Sequence, residues 1–180
     1  MTTLRKILVL ASVLAPQTVL AQEYGPTARL EMWRHERLQK TVDDAKLSPF
    51  TTDGCSGGMS AAWKTVASLF PDFEDVHDRT PPWEGCCVTH DQAYHAGGAE
   101  PSSEAGFLAR LKADEALRVC VAGSVSGKSE ELQAEYNLTD QQVIWGFETV
   151  ADAMFDAVRI GGAPCSGLPW RWGYGRPQCW

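Results

Sequence analysis

Apolar residues recur along this chain mainly at the three- and four-residue spacing of a helix face, so it reads as mainly α, with little room for strands. Residues 28–47 are rich in helix formers, with Leu30, Trp33, Leu38 and Val42 as expected buried positions, and Ser48-Pro49 ends that helix. Phe50 to Gly58 is a turn-rich, glycine-rich loop. Met59 to about Phe70 reads as a short helix with Trp63, Val66 and Phe70 as its apolar stripe. Pro71 to Pro82 is acidic and proline-flanked, hence an expected surface loop. Its Asp72, Glu74, Asp75 and Asp78 do not have the spacing of an EF-hand.

A central helix is expected from about Trp83 to Ala96, stopped by Gly97-Gly98. Pro101-Ser102-Ser103-Glu104 opens the next, which carries Phe107, Leu108, Leu111, Leu117, Val119 and Val121 and ends near Gly123. Ser124 to Glu131 reads as a polar linker. Thr139 and Gln142 have the spacing of a capping box and open a further helix to about Ile160. Its Val143, Phe147, Val150, Ala151, Met154 and Val158 keep helical period and belong to a core. Asn137-Leu138-Thr139 matches a glycosylation sequon by letter, but at a helix start it reads as a cap. Gly161 to Trp180, rich in glycine, proline and tryptophan, reads as a disulfide-pinned tail, packed as core or presented at a membrane interface.

The N-terminus changes the setting. Arg5 and Lys6 precede an apolar run and a small residue, the pattern of an export signal cut after Ala21. The expectation is a secreted or periplasmic protein with one domain over residues 22–180. Removing residues 1–21 takes away two cations and no acid, moving the formal charge from −7 to −9. That balance argues against nucleic acid as a partner. Cys55, Cys86, Cys87, Cys120, Cys165 and Cys179 all lie beyond the signal, and an even count in an exported chain implies three disulfides. Six cysteines allow about fifteen connectivities, and spacing alone does not choose among them. A zinc site from Cys86, Cys87, His90 and His95 fits neither the compartment nor the usual ligand spacing.

The candidate chemistry sits in Gly85 to Tyr94. On a helix, Cys86, Cys87, His90, Asp91 and Tyr94 fall within an arc of roughly 140°. One face then carries two disulfide anchors, a base, a hard-metal ligand and a phenol. On the following helix Asp114 stands six residues before Cys120. A short connection makes the two helices antiparallel neighbours, and were Cys86 bonded to Cys120, Asp114 would approach His90 and Tyr94. A buried Asp fixes an imidazole's tautomer and stabilises its charged form. Asp91 points about 100° away from His90. The Asp53–Gly58 loop offers backbone carbonyls, hard ligands suited to calcium. Together these suggest metal-assisted acyl transfer to water. Such chemistry requires no serine nucleophile. His35, His77 and His95 lack such partners and are expected at the surface.

Cys86-Cys87-Val88-Thr89-His90-Asp91-Gln92-Ala93-Tyr94 resembles the active-site helix of secreted phospholipase A2, and Asp114 to Cys120 resembles that family's second helix. Asp53-Gly54-Cys55-Ser56-Gly57-Gly58 is similar to its calcium loop, especially in shorter bacterial members. The resemblance spans about residues 50–122. It implies a mainly α fold built on a disulfide-linked antiparallel helix pair, with extra flanking helices and the tail over 130–180. It implies calcium-dependent hydrolysis of the sn-2 ester of glycerophospholipids at a membrane or micelle surface. In that reading His90 is the base, Asp114 its partner and Tyr94 a supporting phenol. Calcium is held by the Asp91 carboxylate, by carbonyls of Gly54, Ser56 and Gly58, and by Asp53. The resemblance also implies disulfides Cys55–Cys87 and Cys86–Cys120, which leaves Cys165 and Cys179 for each other.

Several features depart from the pattern. Ala93 and Ala113 stand where the family has two cysteines bonded to one another, so both ends of that bond are missing together. The Cys55–Cys87 segment is longer than usual, and no room remains for a β-hairpin between the helices. Ser56 replaces a glycine. A binding or toxin-like module that keeps the scaffold without turnover is the alternative, but it has no need of His90, Asp91, Tyr94 and Asp114 together.

Overall fold

The computed structural model describes residues 24–42, 46–55 and 57–180. The export signal expected over residues 1–21 and Ser56 of the glycine-rich loop lie outside the described residues. The described chain forms α1 (Pro26–Val42), α2 (Met59–Leu69), α3 (Pro71–His77), α4 (Glu84–Ala96), α5 (Ser103–Gly123), a 3-10 turn (Ser124–Gly127), α6 (Ser129–Tyr136) and α7 (Asp140–Gly161). No strand occurs among these residues, and the protein is mainly α. Three disulfides join Cys55 to Cys87, Cys86 to Cys120 and Cys165 to Cys179. No described helix is long and apolar enough to cross a membrane.

Local chemistry sets the helix ends that position the site. The Ser102 hydroxyl accepts from the Ala105 N–H and starts α5. Thr139 and Gln142 form a reciprocal capping box that starts α7. The Cys86–Cys120 bond ties the start of α4 to the end of α5, and Tyr94 meets Arg110 at the other end, so the two helices run antiparallel. α7 lies along α5. Its Val143, Phe147, Ala151 and Met154 pack on Leu117, Val121, Trp83 and the two cysteines of α4. Val143, Phe147 and Met154 each contribute about 1.5–3 kcal/mol by leaving water. α1 crosses α5 closely at Gly106, where an added Cβ would sit 2.5 Å from His35 Nδ1.

Several expectations are corrected. Leu30 and Trp33 are exposed, and the buried face of α1 is Glu31, His35 and Leu38. That face meets the charged Arg110 of α5, so polar groups are drawn inward. Trp33 instead lies beneath the Arg37 guanidinium on the outside. On α2, Val66 is exposed and the small Ser60 and Ala67 are buried, and Phe70, exposed too, lies just past the helix end. Ser60 is drawn inward by the loop, because its Oγ accepts from the Cys55 N–H. Leu108 and Val119 of α5 also face solvent. The Pro71–Pro82 segment contains α3, begun by Pro71 with Asp72 and Glu74 in its first turn. The expected linker after Gly123 is a 3-10 turn followed by α6, which carries Glu130 and Glu131 at its positive end. His35 and His95 are buried, not surface residues. In the tail Trp172 is core and Trp180 is exposed.

Thr139→Ala removes the α7 cap while touching nothing in the core. It should lower the unfolding free energy by about 1 kcal/mol in urea titrations. An unchanged midpoint would show that α7 is held by packing alone.

Candidate active site

Cys86, Cys87, His90, Asp91, Tyr94 and His95 are all buried along α4. His90 Nε2 lies 2.9 Å from Asp114 Oδ1, and the Tyr94 hydroxyl donates to the same oxygen at 2.6 Å. Burial pushes the Asp114 carboxyl up. Hydrogen bonds from His90, the Arg110 charge, and donors from Tyr94 and Arg159 outweigh it and hold the carboxyl below its usual range. An ionised carboxylate only accepts, so Nε2 carries the proton and Nδ1 is left as the basic nitrogen. Burial above all, reinforced by Asp114, raises the Tyr94 phenol well above its ordinary value, so it stays a neutral donor.

Asp114 belongs to a closed ring of buried polar groups. Its Oδ2 accepts from Arg159 Nη1 at 2.8 Å. Arg159 Nη2 donates to Glu31 Oε2 at 2.6 Å. Glu31 Oε1 accepts from Arg110 Nε at 2.7 Å, and Arg110 Nη1 donates to the Tyr94 hydroxyl at 2.9 Å. Tyr94 returns the path to Asp114. Two guanidiniums balance two carboxylates, which is the condition for keeping such charges inside. Arg110 is fully buried and also donates to the Val158 and Arg159 carbonyls, satisfying the last turn of α7. Burial pushes Glu31 up too, but His35, Arg110 and Arg159 overcome it and lower its pKa.

Glu31, Arg110 and Arg159 were not among the residues picked from the sequence. A signal was available. Arg110, Asp114, Leu117 and Val121 follow one helical stripe of α5, and Glu31, His35 and Leu38 follow one stripe of α1. A charge in line with buried leucines marks an inward-facing charge.

The glycine-rich loop meets the other side of α4. The Cys55–Cys87 bond fastens it there. Thr52 Oγ1 donates to Asp91 Oδ2 at 2.6 Å and accepts from the Gly54 N–H at 3.1 Å. Gly54 has φ +82°, and an added Cβ would lie 2.6 Å from both Glu84 Oε1 and Ser60 Oγ, so only glycine fits. Gly58 is exposed, in the left-handed region before α2. Asp53 and Asp91 border one small pocket together with Tyr174. Burial, then the charges of Asp91 and Asp53, pushes the Tyr174 phenol up to about 12. The structure thus brings Asp53 and Asp91 together at the loop side of α4, and gathers Tyr94 and Asp114 around His90, the residue before Asp91. Among the described residues no group of three or more His, Cys, Asp or Glu side chains converges as metal ligands.

A cavity of about 400 Å³ opens between α2, α4 and α7. Met59, Ala62, Leu117, Met154, Ala157, Val158 and Trp170 make its walls apolar, and His90 and Asp91 are its polar members. His90 therefore faces space suited to a hydrocarbon chain.

Glu31 and Asp114 have lowered pKa values in the fold, so the stability they contribute is fully present above the ordinary carboxylate range and is lost as pH falls through their depressed values. The urea midpoint should hold from neutrality down to about pH 5 and drop steeply below about pH 4. A midpoint that stays level to about pH 3 would contradict this. Compared with protein-family models, with curated proteins and with solved structures, the chain gives no significant match.

Proposed function

We propose that this protein is an exported, calcium-dependent hydrolase of the secreted phospholipase A2 type, acting on the sn-2 ester of glycerophospholipids. The observation that carries the reading is His90 on the wall of an apolar cavity, with Nε2 held by a buried anion. α4 and α5, antiparallel and joined by Cys86–Cys120, correspond in this reading to the family's helix pair. Three disulfides suit an oxidising compartment.

The residues present fit calcium by donor type. Asp53 and Asp91 place two carboxylates at one pocket, and hard cations take such oxygens together with backbone carbonyls and water. Two side chains are too few alone, and the family resemblance assigns the rest to the carbonyls of Gly54, Ser56 and Gly58, of which Gly58 borders the His90 cavity rather than this pocket. A bound calcium ion would supply positive charge that polarises the ester carbonyl.

The chain's own residues supply the proton chemistry. His90 Nδ1 takes a proton from water as the water oxygen bonds to the ester carbonyl carbon. Asp114 stabilises the imidazolium formed, and Tyr94 keeps the carboxylate oxygen in place. When the tetrahedral adduct collapses, the C–O bond to the glycerol oxygen breaks and that oxygen recovers the proton from Nδ1. The products are a free fatty acid and a lysophospholipid. Met154, Ala157 and Val158 would line the acyl chain. α2, whose Met59 and Ala62 form the opposite wall, exposes Val66 and Leu69, and with Phe70 just past its end these make an apolar surface suited to a bilayer or micelle.

The test is fatty-acid release from mixed phospholipid vesicles. Release should require calcium, stop with EDTA, and fall about 100-fold or more in His90→Gln. Asp91→Asn should raise the calcium concentration needed. Folded protein that releases nothing from any lipid, or release indifferent to EDTA and to His90→Gln, would overturn the proposal.

A further inference from the structure

We propose that Arg159 is a positioning residue for His90 and acts through Asp114. Its guanidinium bridges Asp114 to Glu31 and thereby keeps one carboxylate oxygen aimed at the imidazole. The division of labour on Asp114 is the starting point. Oδ1 serves His90 and Tyr94, and Oδ2 has its short contact with Arg159 at 2.8 Å. Arg110 reaches Oδ2 only at 3.5 Å, the outer limit of a hydrogen bond. A carboxylate turns easily about its last torsion. With Arg159 gone, Asp114 would be drawn round toward Arg110, and Oδ1 would leave the line to Nε2.

Arg159 holds because its other arm is fixed. Nη2 sits 2.6 Å from Glu31 Oε2, and Glu31 is itself gripped by Arg110 through Nε and Nη2. The fork geometry of a guanidinium spans both carboxylates at once, which a lysine ammonium does not reproduce. The placement on α7 separates this task from substrate binding. Ala157 and Val158, just before it, line the cavity, whereas Arg159 does not. Its side chain is 18% exposed against 0% for Arg110, so it can be replaced at less cost to folding.

The experiment compares the full exported chain with Arg159→Met, Arg159→Lys and Arg118→Met. Arg118 makes an exposed α5–α7 ion pair with Asp152 and is the control for a lost inter-helix pair. The first readout is the His90 Nε2–H proton by NMR without calcium or lipid. It should exchange slowly in the wild type and in Arg118→Met, and about tenfold or more faster in Arg159→Met. The second rests on the hydrolase reading and measures vesicle hydrolysis. In Arg159→Met kcat should fall about tenfold or more with KM within about twofold, and Arg159→Lys should recover only part of it. If Arg159→Met does not fold, Arg159→Lys carries both readouts, with faster exchange and lower kcat expected. Wild-type exchange in a folded Arg159 variant overturns the inference, as does a loss confined to KM. A wild type without hydrolytic activity would sink the function proposed above while the exchange readout still decides this one.

Discussion

The buried charge of Asp114 is what the rest of this fold is arranged around. A carboxylate with no exposed surface is costly unless charged donors surround it. Here the donors come from α4, α5 and α7, and the second carboxylate that balances the guanidiniums comes from α1. No pair of these helices satisfies the ring alone. α1 and α7 are therefore integral to the candidate site, although none of the site residues expected from the sequence lies on them.

The ring and the disulfides divide the α4–α5 pair between them. Cys86–Cys120 and Cys55–Cys87 fix the beginning of α4 covalently, to α5 and to the glycine loop. Toward its end, Tyr94 and the charged ring hold α4 to α5 without a covalent bond. Trp172 of the tail packs edge-on against Tyr94 and seals that end. Between these two anchors α4 has little freedom, and His90 and Asp91 occupy the rigid stretch. Asp91 is fixed in turn by Thr52, so the loop and the base share one support. The proposed mechanism needs such rigidity, because proton transfer demands a fixed distance and direction.

What could be read from the sequence was chemistry that acts locally. Gly97, Ser102 and Thr139 mark helix ends because capping depends on one or two neighbouring residues. The shared face of His90 and Tyr94 follows from the pitch of a helix. What escaped were choices made by tertiary contact. Arg159 looks like a solvated charge until its partners on α1 and α5 are known, and Glu31 and Arg110 are marked only by falling in line with buried Leu38 and Leu117. Leu30 and Trp33 look like core because hydrophobicity outweighs phase in a short window, yet α1 is rotated to present Glu31 to Arg110. α6 carries no regular apolar stripe and is legible only from its acidic start and its left-handed Asn137 end. Thr52 is an ordinary loop threonine until the Cys55–Cys87 bond brings it to Asp91.

The claim that these helices are bound as one unit is tested most directly by a double-mutant cycle on unfolding free energy. The cycle uses Glu31→Gln and Arg110→Met, singly and together. Each single change leaves one buried charge uncompensated and should cost about 3–5 kcal/mol. The double change restores neutrality, so its cost should fall short of the sum by about 1–3 kcal/mol. Additivity within about 0.5 kcal/mol would mean that the two residues are stabilised separately, and the ring would lose its place at the centre of the fold.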